Sequence, residues 1–528
     1  MSDTVRSYTT EAGSLQRRRR GRRGGWWRVL LVILIVGTCW AFWITRDSYS
    51  VRQFVAAKQA YHVVLSDPAQ NRSRIASSPI WEALPASLGL TPLRTMVTET
   101  MGYPEWVFNN FVRERLHATG PDLTQFDDTV FVTRMSRMGR LLEPLGVWLP
   151  SIERDYAGGL ALRKVIDPGF FYAVRGRVLI MSRSRDALIR SLTLDTDRVI
   201  AEDEYSTLTQ TGDEDLRGFI LLPEHEPGDS LLAHVGFALR IDGNGLHAKF
   251  QTRYSDYWKQ RLRPMMLDLK PQTLRMPVDG PAMLSMDFRK PFKEVWTGIG
   301  EAFHVDLMSQ ERWEGWSERP LFEAPGLPFM ATGVLANCGP GIRISLQGVD
   351  TREIVPMPEL VLTLDAKRSE LQKAFESIPA PPATLHPWDS YPRYDSATQT
   401  VSVPMWGGPS IEPTAKVLGD QLMISSSRPV AQRIISQELD SGTLEQEGNL
   451  YFRIVPEKCA DALIESARQF AAVGALKGVT KGEFETLTQE WRSASSRVSE
   501  ITLLAVLNET GAAMELRIVC PSVSTQQP

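Results

Sequence analysis

The densest cluster of side chains that could do chemistry is Glu224-His225-Glu226-Pro227-Gly228-Asp229, with His234 nine residues after His225. Carboxylates and imidazoles are ligands for hard and borderline divalent metals, but this run reads as a solvated loop between strands. Asp195-Thr196-Asp197 and Asp213-Glu214-Asp215 both satisfy Asp-x-Asp. Type II anchored glycosyltransferases use that pattern to hold a metal and a nucleotide-sugar. Chance supplies it readily among 62 acidic residues, and no nucleotide-binding strand–helix–strand run precedes either copy. Gly-x-Ser-x-Gly, the P-loop, His-Glu-x-x-His and Gly-x-Gly-x-x-Gly are absent. The remaining histidines (His62, His117, His247, His304 and His386) are scattered. The expectation is therefore no catalytic residue, no cofactor and no metal.

Binding chemistry has one better candidate. Eight prolines fall between Pro379 and Pro413, interleaved with His386, Trp388, Tyr391, Tyr394 and Trp406. Rigid Pro-rich loops with aromatic side chains dock partners or stack on sugars, so these five residues form the candidate partner-binding loop. Trp313 and Trp316 invite the same reading more weakly. Cys39 falls in an apolar run, leaving Cys338, Cys459 and Cys520, an odd number that allows at most one intramolecular disulfide among them. Asn71-Arg72-Ser73 and Asn508-Glu509-Thr510 are glycosylation sequons, meaningful only in a eukaryotic secretory pathway.

The elements that position these residues begin with charge. The chain has 59 basic and 62 acidic residues, net −3. The first 28 residues hold eight Arg against two acids, net +6, which leaves −9 for the rest. A nucleic-acid-binding domain would spread basic charge over a folded face, so no nucleic-acid partner is expected. Arg17 to Arg23 lead into Trp26-Trp27 and an apolar run to Ile44, closed by Thr45-Arg46-Asp47. Residues 26–45 would span about 30 Å as a helix, the thickness of a hydrocarbon core. Tryptophans at both ends and arginines on one side predict an uncleaved transmembrane helix with its N-terminus in the cytoplasm. The predicted plan is a basic cytoplasmic tail over 1–25, a membrane helix over 26–45 and a stalk over 46–60 that continues it. Lobes over 61–275 and 276–520 follow, then a disordered tail over 521–528.

An internal repeat organises the body. Val174, Gly176, Leu179, Ser182, Ser184, Arg185 and Arg190 recur at a constant offset of 243 as Val417, Gly419, Leu422, Ser425, Ser427, Arg428 and Arg433. The pattern is strand, Gly turn, strand, then a helix capped by Ser184 or Ser427, which makes those serines caps rather than nucleophiles. Upstream, the strand-to-helix run Val130–Leu141 matches Leu360–Leu371. Alternation about a Gly turn predicts hairpins over 237–250, 334–346 and 506–518. Strand-then-helix units start at Tyr61, Ala282 and Leu450. The predicted fold class is α+β: a transmembrane helix followed by two related lobes of antiparallel sheet with helices on one face.

The unit carried by Gly176/Ser184 and Gly419/Ser427 behind an N-terminal anchor resembles uncharacterised bacterial single-pass membrane-anchored envelope proteins of the domain-of-unknown-function type. The resemblance implies the bacterial inner membrane, with the body periplasmic or extracellular, and supplies no catalytic residue. The expected function is a membrane-tethered extracytoplasmic binding or scaffold protein without catalysis. Its partners would be the bilayer, through residues 26–45, and another envelope protein. Two alternatives stand beside it. One is a carrier of lipid or another apolar ligand, lined by Met181, Met283, Met286, Met330 and Met423. The other is a type II anchored enzyme such as a glycosyltransferase.

Overall fold

The structure is a computed structural model. It describes residues 30–521 except 84–103, 147–151, 158, 167–168, 211, 224–227, 278–279, 306–310, 312–337, 353–355, 377, 379, 381–390, 405–410, 438–442 and 475–479. The chain forms two compact units, residues up to 70 with 103–210, and 71–102 with 211 onward. The division falls near 210, where the sequence reading places it at 275. The predicted seam is instead occupied by a helix, Asp256–Met266, and by a strand, Gln272–Pro277.

A helix covers residues 30–44 and exposes its apolar side chains; Leu34 is 69% and Phe42 77% exposed. Among the described residues no helix is long and apolar enough to cross a membrane. The run expected to span one is described only from residue 30, so Trp26 and Trp27 lie outside. The stalk does not continue this helix. Beyond Thr45 the chain is irregular, then forms a 3₁₀ turn, Val51–Phe54, whose Val51 and Phe54 are buried. Apolar side chains at 51, 54 and 55 have a core to enter, and that burial outweighs helix propensity.

The first unit holds strands β1 (Tyr61–Ser66), β2 (Arg115–Gly120), β3 (Val130–Arg134), β4 (Ile152–Ala157), β5 (Leu160–Val165), β6 (Phe170–Arg175) and β7 (Val178–Ser182). They pair antiparallel in the order β1-β2-β3-β7-β6-β5-β4.

The second unit holds β8 (Leu216–Leu221), β9 (Leu232–Asp242), β10 (Gly245–Tyr254), β11 (Gln272–Pro277), β12 (Ala282–Asp287), β13 (Cys338–Asp350), β14 (Met357–Ala366) and β15 (Arg393–Asp395). It continues with β16 (Thr400–Ser402), β17 (Thr414–Leu418), β18 (Gln421–Ser425), β19 (Thr443–Gly448), β20 (Leu450–Ile454), β21 (Glu500–Asn508) and β22 (Gly511–Val519). Its large antiparallel sheet runs β8-β9-β10-β22-β21-β20-β12-β13-β14-β18-β17-β16-β15. Separately, β11 pairs with β19. Mixed helix and antiparallel strand makes the chain α+β, as its alternating patterns predict.

The repeat is carried in the hydrogen-bond register. In the first unit Val174 faces Leu179 and Phe171 faces Ser182; in the second Val417 faces Leu422 and Thr414 faces Ser425, each at offset 243. Gly176 and Gly419 take φ of +58° and +56°, the left-handed conformation that two-residue turns need and glycine adopts without strain. The upstream strand pairs by the same rule: Val130 faces Ser182 as Val361 faces Ser425. Val130 therefore matches Val361, one residue beyond the match read from the sequence. Following the ladder outward, β1-β2-β3-β7-β6 corresponds strand for strand to β12-β13-β14-β18-β17.

Two expectations fail. Helices cover both faces, not one. Leu364 and Leu422 pack on the helix Arg368–Glu376 through Leu371 and Phe375, while Val361 and Met423 pack on the helix Arg428–Gln437 through Val430 and Ala431. Residues 361 and 364 point to opposite faces of β14, so a nearly continuous apolar strand is the mark of double-sided burial. The hairpin expected at Gly339 is also absent. Gly339 lies within β13, whose register against β14 shifts between Cys338 and Ile342, so the glycine serves a bulge. Residues 334–337 are outside the described residues. The hairpins β9–β10 and β21–β22 form as expected.

Candidate functional site

A cleft of about 550 Å³ opens in the first unit. One wall is the chain from Phe54 to Gln59, held by the Ser191 hydroxyl donating to the Phe54 carbonyl (2.7 Å) and by Ala57 N–H donating to Arg198 O (2.8 Å). The helix Arg185–Leu192 supplies Ala187, Arg190 and Ser191 to the opposite wall, and Thr119, Asp128 and Val130 close the floor. Lys58 (φ +55°), Arg198 and Asp197 line the rim. Its lining mixes cations (Lys58, Arg190, Arg198), carboxylates (Asp128, Asp197) and apolar side chains. Among the described residues that line it, no nucleophile is poised on a base: Ser191 is buried and spends its proton on the Phe54 carbonyl. Asp197 belongs to one Asp-x-Asp pattern, so that pattern marks this rim.

Arg190 is less a ligand contact than a staple. Its guanidinium donates to Asp128 at 3.0 Å, and at the matched positions Arg433 donates to both carboxylate oxygens of Glu359, one at 3.3 Å. The offset-243 arginines therefore tie each helix to an acid near the start of its central strand, Asp128 just before β3 and Glu359 within β14. The serines also recur in function. Ser184 Oγ accepts from Ala187 N (3.3 Å) and Ser427 Oγ from Val430 N (3.5 Å), as N-caps do. Ser182 and Ser425, both 1% exposed, accept from the N–H of those caps at 3.1 and 3.3 Å.

The other sequence candidates separate in space and role. Asp215 is buried and takes a two-pronged grip from Arg74, one contact at 3.0 Å, plus Ile241 N at 2.8 Å. Such saturation leaves no oxygen for a metal-nucleotide, so this Asp-x-Asp is structural. His234 stacks on Phe219, while Glu224, His225 and Glu226 lie outside the described residues. Of the candidate partner loop, His386, Trp388 and Trp406 lie outside, as do Trp313 and Trp316. Tyr394 sits in β15 with its ring against Phe375, in the core beneath the helix Arg368–Glu376. Tyr391 is half-buried. Part of the expected loop is thus the β15–β16 hairpin, which lengthens the sheet edge. Met181, Met283, Met286 and Met423 divide among separate clusters rather than lining one groove; Met330 lies outside. The four cysteines are free. Burial pushes the Cys338 thiol up to about 12, with the Asp365 carboxylate adding to it, so this thiol is inert.

Two buried polar groups escaped the sequence reading. His62 and His117, both 1% exposed, meet with Nε2 and Nδ1 3.1 Å apart, and Tyr205 stacks on His117. Burial lowers His62 to about 4; burial, His62 and Arg115 lower His117 to about 3. Both rings are neutral at pH 7. Glu143, 1% exposed, bridges Arg140 (2.7 Å) and Arg163 (2.8 Å) beside the Tyr172 hydroxyl. Burial, then Glu143, pushes that hydroxyl up to about 12. His62 and His117 are 55 residues apart and meet through strand register. Glu143, in the 3₁₀ turn Glu143–Leu145, has Arg140 at a local spacing of three, but Arg163 lies 20 residues on, where no sequence spacing announces it.

No protein-family model matches the sequence, and no curated protein does. Two solved structures are similar to parts of the chain: crystal form IV of TP0453, at 9% identity and a TM-score of 0.25, and crystal form I, at 10% and 0.26. They match 41% and 43% of this chain and 86% and 88% of their own length.

Proposed function

We propose that the protein is a membrane-tethered extracytoplasmic binding or scaffold protein of the cell envelope, working without catalysis. The observation that supports this is the path of the chain from its apolar helix into the body. Immediately after residues 30–44, Asp47 reaches Arg134 (3.2 Å) and Arg177 (3.6 Å), and the 3₁₀ turn buries Phe54. An anchor held so firmly positions a body whose repeated sheets are stapled for rigidity. The span is residues 26–45, with the arginine-rich tail in the cytoplasm. In-cell crosslinking of the full-length protein followed by mass spectrometry tests the reading. It expects reproducible envelope-protein crosslinks to the body; a body that crosslinks to nothing overturns it.

A second reading, carriage of an apolar ligand, has its own support. In the second unit a cross-strand row runs Leu239–Ala248–Leu516–Leu503–Phe452–Leu284–Ile344–Leu362. Ile344 is 39% and neighbouring Leu360 43% exposed. Native mass spectrometry of the purified protein would reveal co-purifying lipid; its absence ends this reading.

A further inference from the structure

In the first repeat the Gly176 turn is a seat. A Cβ there would meet the Tyr49 ring at 3.2 Å, Arg46 O at 3.4 Å and Ser48 N at 3.6 Å, because the stalk lies across it. Asp47 supplies the charge, placed between Arg134 and Arg177. The second repeat has the same backbone frame: Met135 N–H bonds to Arg177 O at 2.8 Å as Ala366 N–H bonds to Asp420 O at 2.8 Å. Register makes Asp365 the counterpart of Arg134 and Asp420 the counterpart of Arg177. Both cations have become anions. Among the described residues this turn is open, since none of them lies within 4 Å of a Cβ built on Gly419. Beside it a cavity of about 700 Å³ is lined by Gly339, Asp365, Lys367, Arg368 and Asp420 among others.

We propose that this Gly419 turn is a docking surface for an extended segment of a partner protein that presents a lysine or arginine where the stalk presents Asp47. The partner is another protein because this chain's own stalk is seated on Gly176. Its charge follows from the exchange: a carboxylate held by two arginines in one repeat is repelled by two aspartates in the other. Asp365 already accepts from Gly341 N (3.1 Å), Arg343 (3.2 Å) and Gln421 (3.3 Å), so Asp420 is the principal contact and Asp365 the second. Lys367 pairs with Glu370 at 3.5 Å, and Arg368 matches Arg137, a cation common to both repeats, so neither sets the preference.

The inference rests on the binding reading above. Its test uses the full chain in lipid nanodiscs and a fluorescent peptide of residues 45–54 carrying Asp47→Arg, followed by anisotropy. Salt-sensitive binding that weakens at least tenfold in the Asp365→Asn/Asp420→Asn variant is the expected result, with the unsubstituted peptide bound no better by that variant's parent. Equal binding to parent and variant overturns the proposal, as does no binding of the Arg peptide to a parent of native circular dichroism. Crosslinks elsewhere on the body, retained alongside such a failure, would leave the scaffold reading standing without this surface.

Discussion

The two repeats share a backbone and differ in what fills it. Beside the helix Arg137–Leu142 the first repeat gathers the half-buried Arg140 with the buried Glu143 and Tyr172; the matched positions in the second are Leu371, Ala374 and Ala415. The second closes the same space with Phe375 and Val401, while Leu422 only repeats Leu179, which is buried in the first. Where the first places His62 and His117, the second has Met283 and Arg343 by register. Gly turn, cap serine and helix staple are constant. The frame is therefore specified by turn and cap chemistry, and the core under it is free to be ionic or apolar, because packing needs volume and satisfied polar groups rather than one composition.

The ionic core gives the largest contrast. Glu143→Ala leaves Arg140 and Arg163 facing each other without a counter-charge, and breaking a buried pair on one side costs about 3–5 kcal/mol. Denaturant unfolding should record that loss. Arg140→Leu/Glu143→Ala, which gives the first repeat the second's residues at these positions, should cost less than Glu143→Ala alone. If the double variant is the weaker, the two cores are not interchangeable solutions of one frame.

Acid sensitivity should follow the histidines. Their folded pKa values, about 4 and about 3, lie below the ordinary value of 6.5, so the unfolded chain binds more protons between those limits. The neutral pair's contribution to stability is complete above about pH 6.5 and is lost as pH falls toward 4 and 3. A tenfold change in proton affinity is worth about 1.4 kcal/mol, so the loss is on the order of 2 kcal/mol or more. Hydrogen exchange at pH 7 and pH 4.5 should show the amides of β1 and β2 losing protection while those of β12 and β13 hold. His117→Asn should flatten the first response.

How much of this was legible in the sequence follows from range. Gly176, Ser184 and their counterparts act within a few residues, so the repeat was readable. Leu360 and Val361 are both apolar, so hydrophobicity alone could not phase the upstream strand. The slip by one residue concealed that Arg134 stands where Asp365 does. The Pro-rich run misled in the other direction: Pro and aromatic residues mark rigidity, but Tyr394 spends its ring on Phe375. Double-sided burial was legible too, against the expectation of one covered face: Val361-Leu362-Thr363-Leu364 has no polar face, which marks a strand covered on both sides, whereas the alternating hairpins suggested one wet face.

The caps should break both repeats alike. Ser184→Ala and Ser427→Ala each remove one acceptor from a helix N-terminus, worth about 1 kcal/mol. Each should also free the N–H it accepts from, at Ala187 or Val430. Similar losses in thermal unfolding support an equivalent role; a cost confined to one repeat would show that the other helix is held by packing alone.

The staples give the smallest effect and the sharpest comparison. Arg190 and Arg433 are 59% and 42% exposed, so water screens both pairs and each should contribute about 0.5–1 kcal/mol. Double-mutant cycles, Arg190→Ala with Asp128→Ala and Arg433→Ala with Glu359→Ala, isolate that coupling from the lost packing of the arginine stems. The Glu359 pair should couple more strongly, because its carboxylate is 11% exposed against 31% for Asp128 and is gripped through both oxygens. Raising salt should erode the Asp128 coupling first. Equal couplings with equal salt response would mean that geometry at the staple adds nothing beyond the presence of opposite charges.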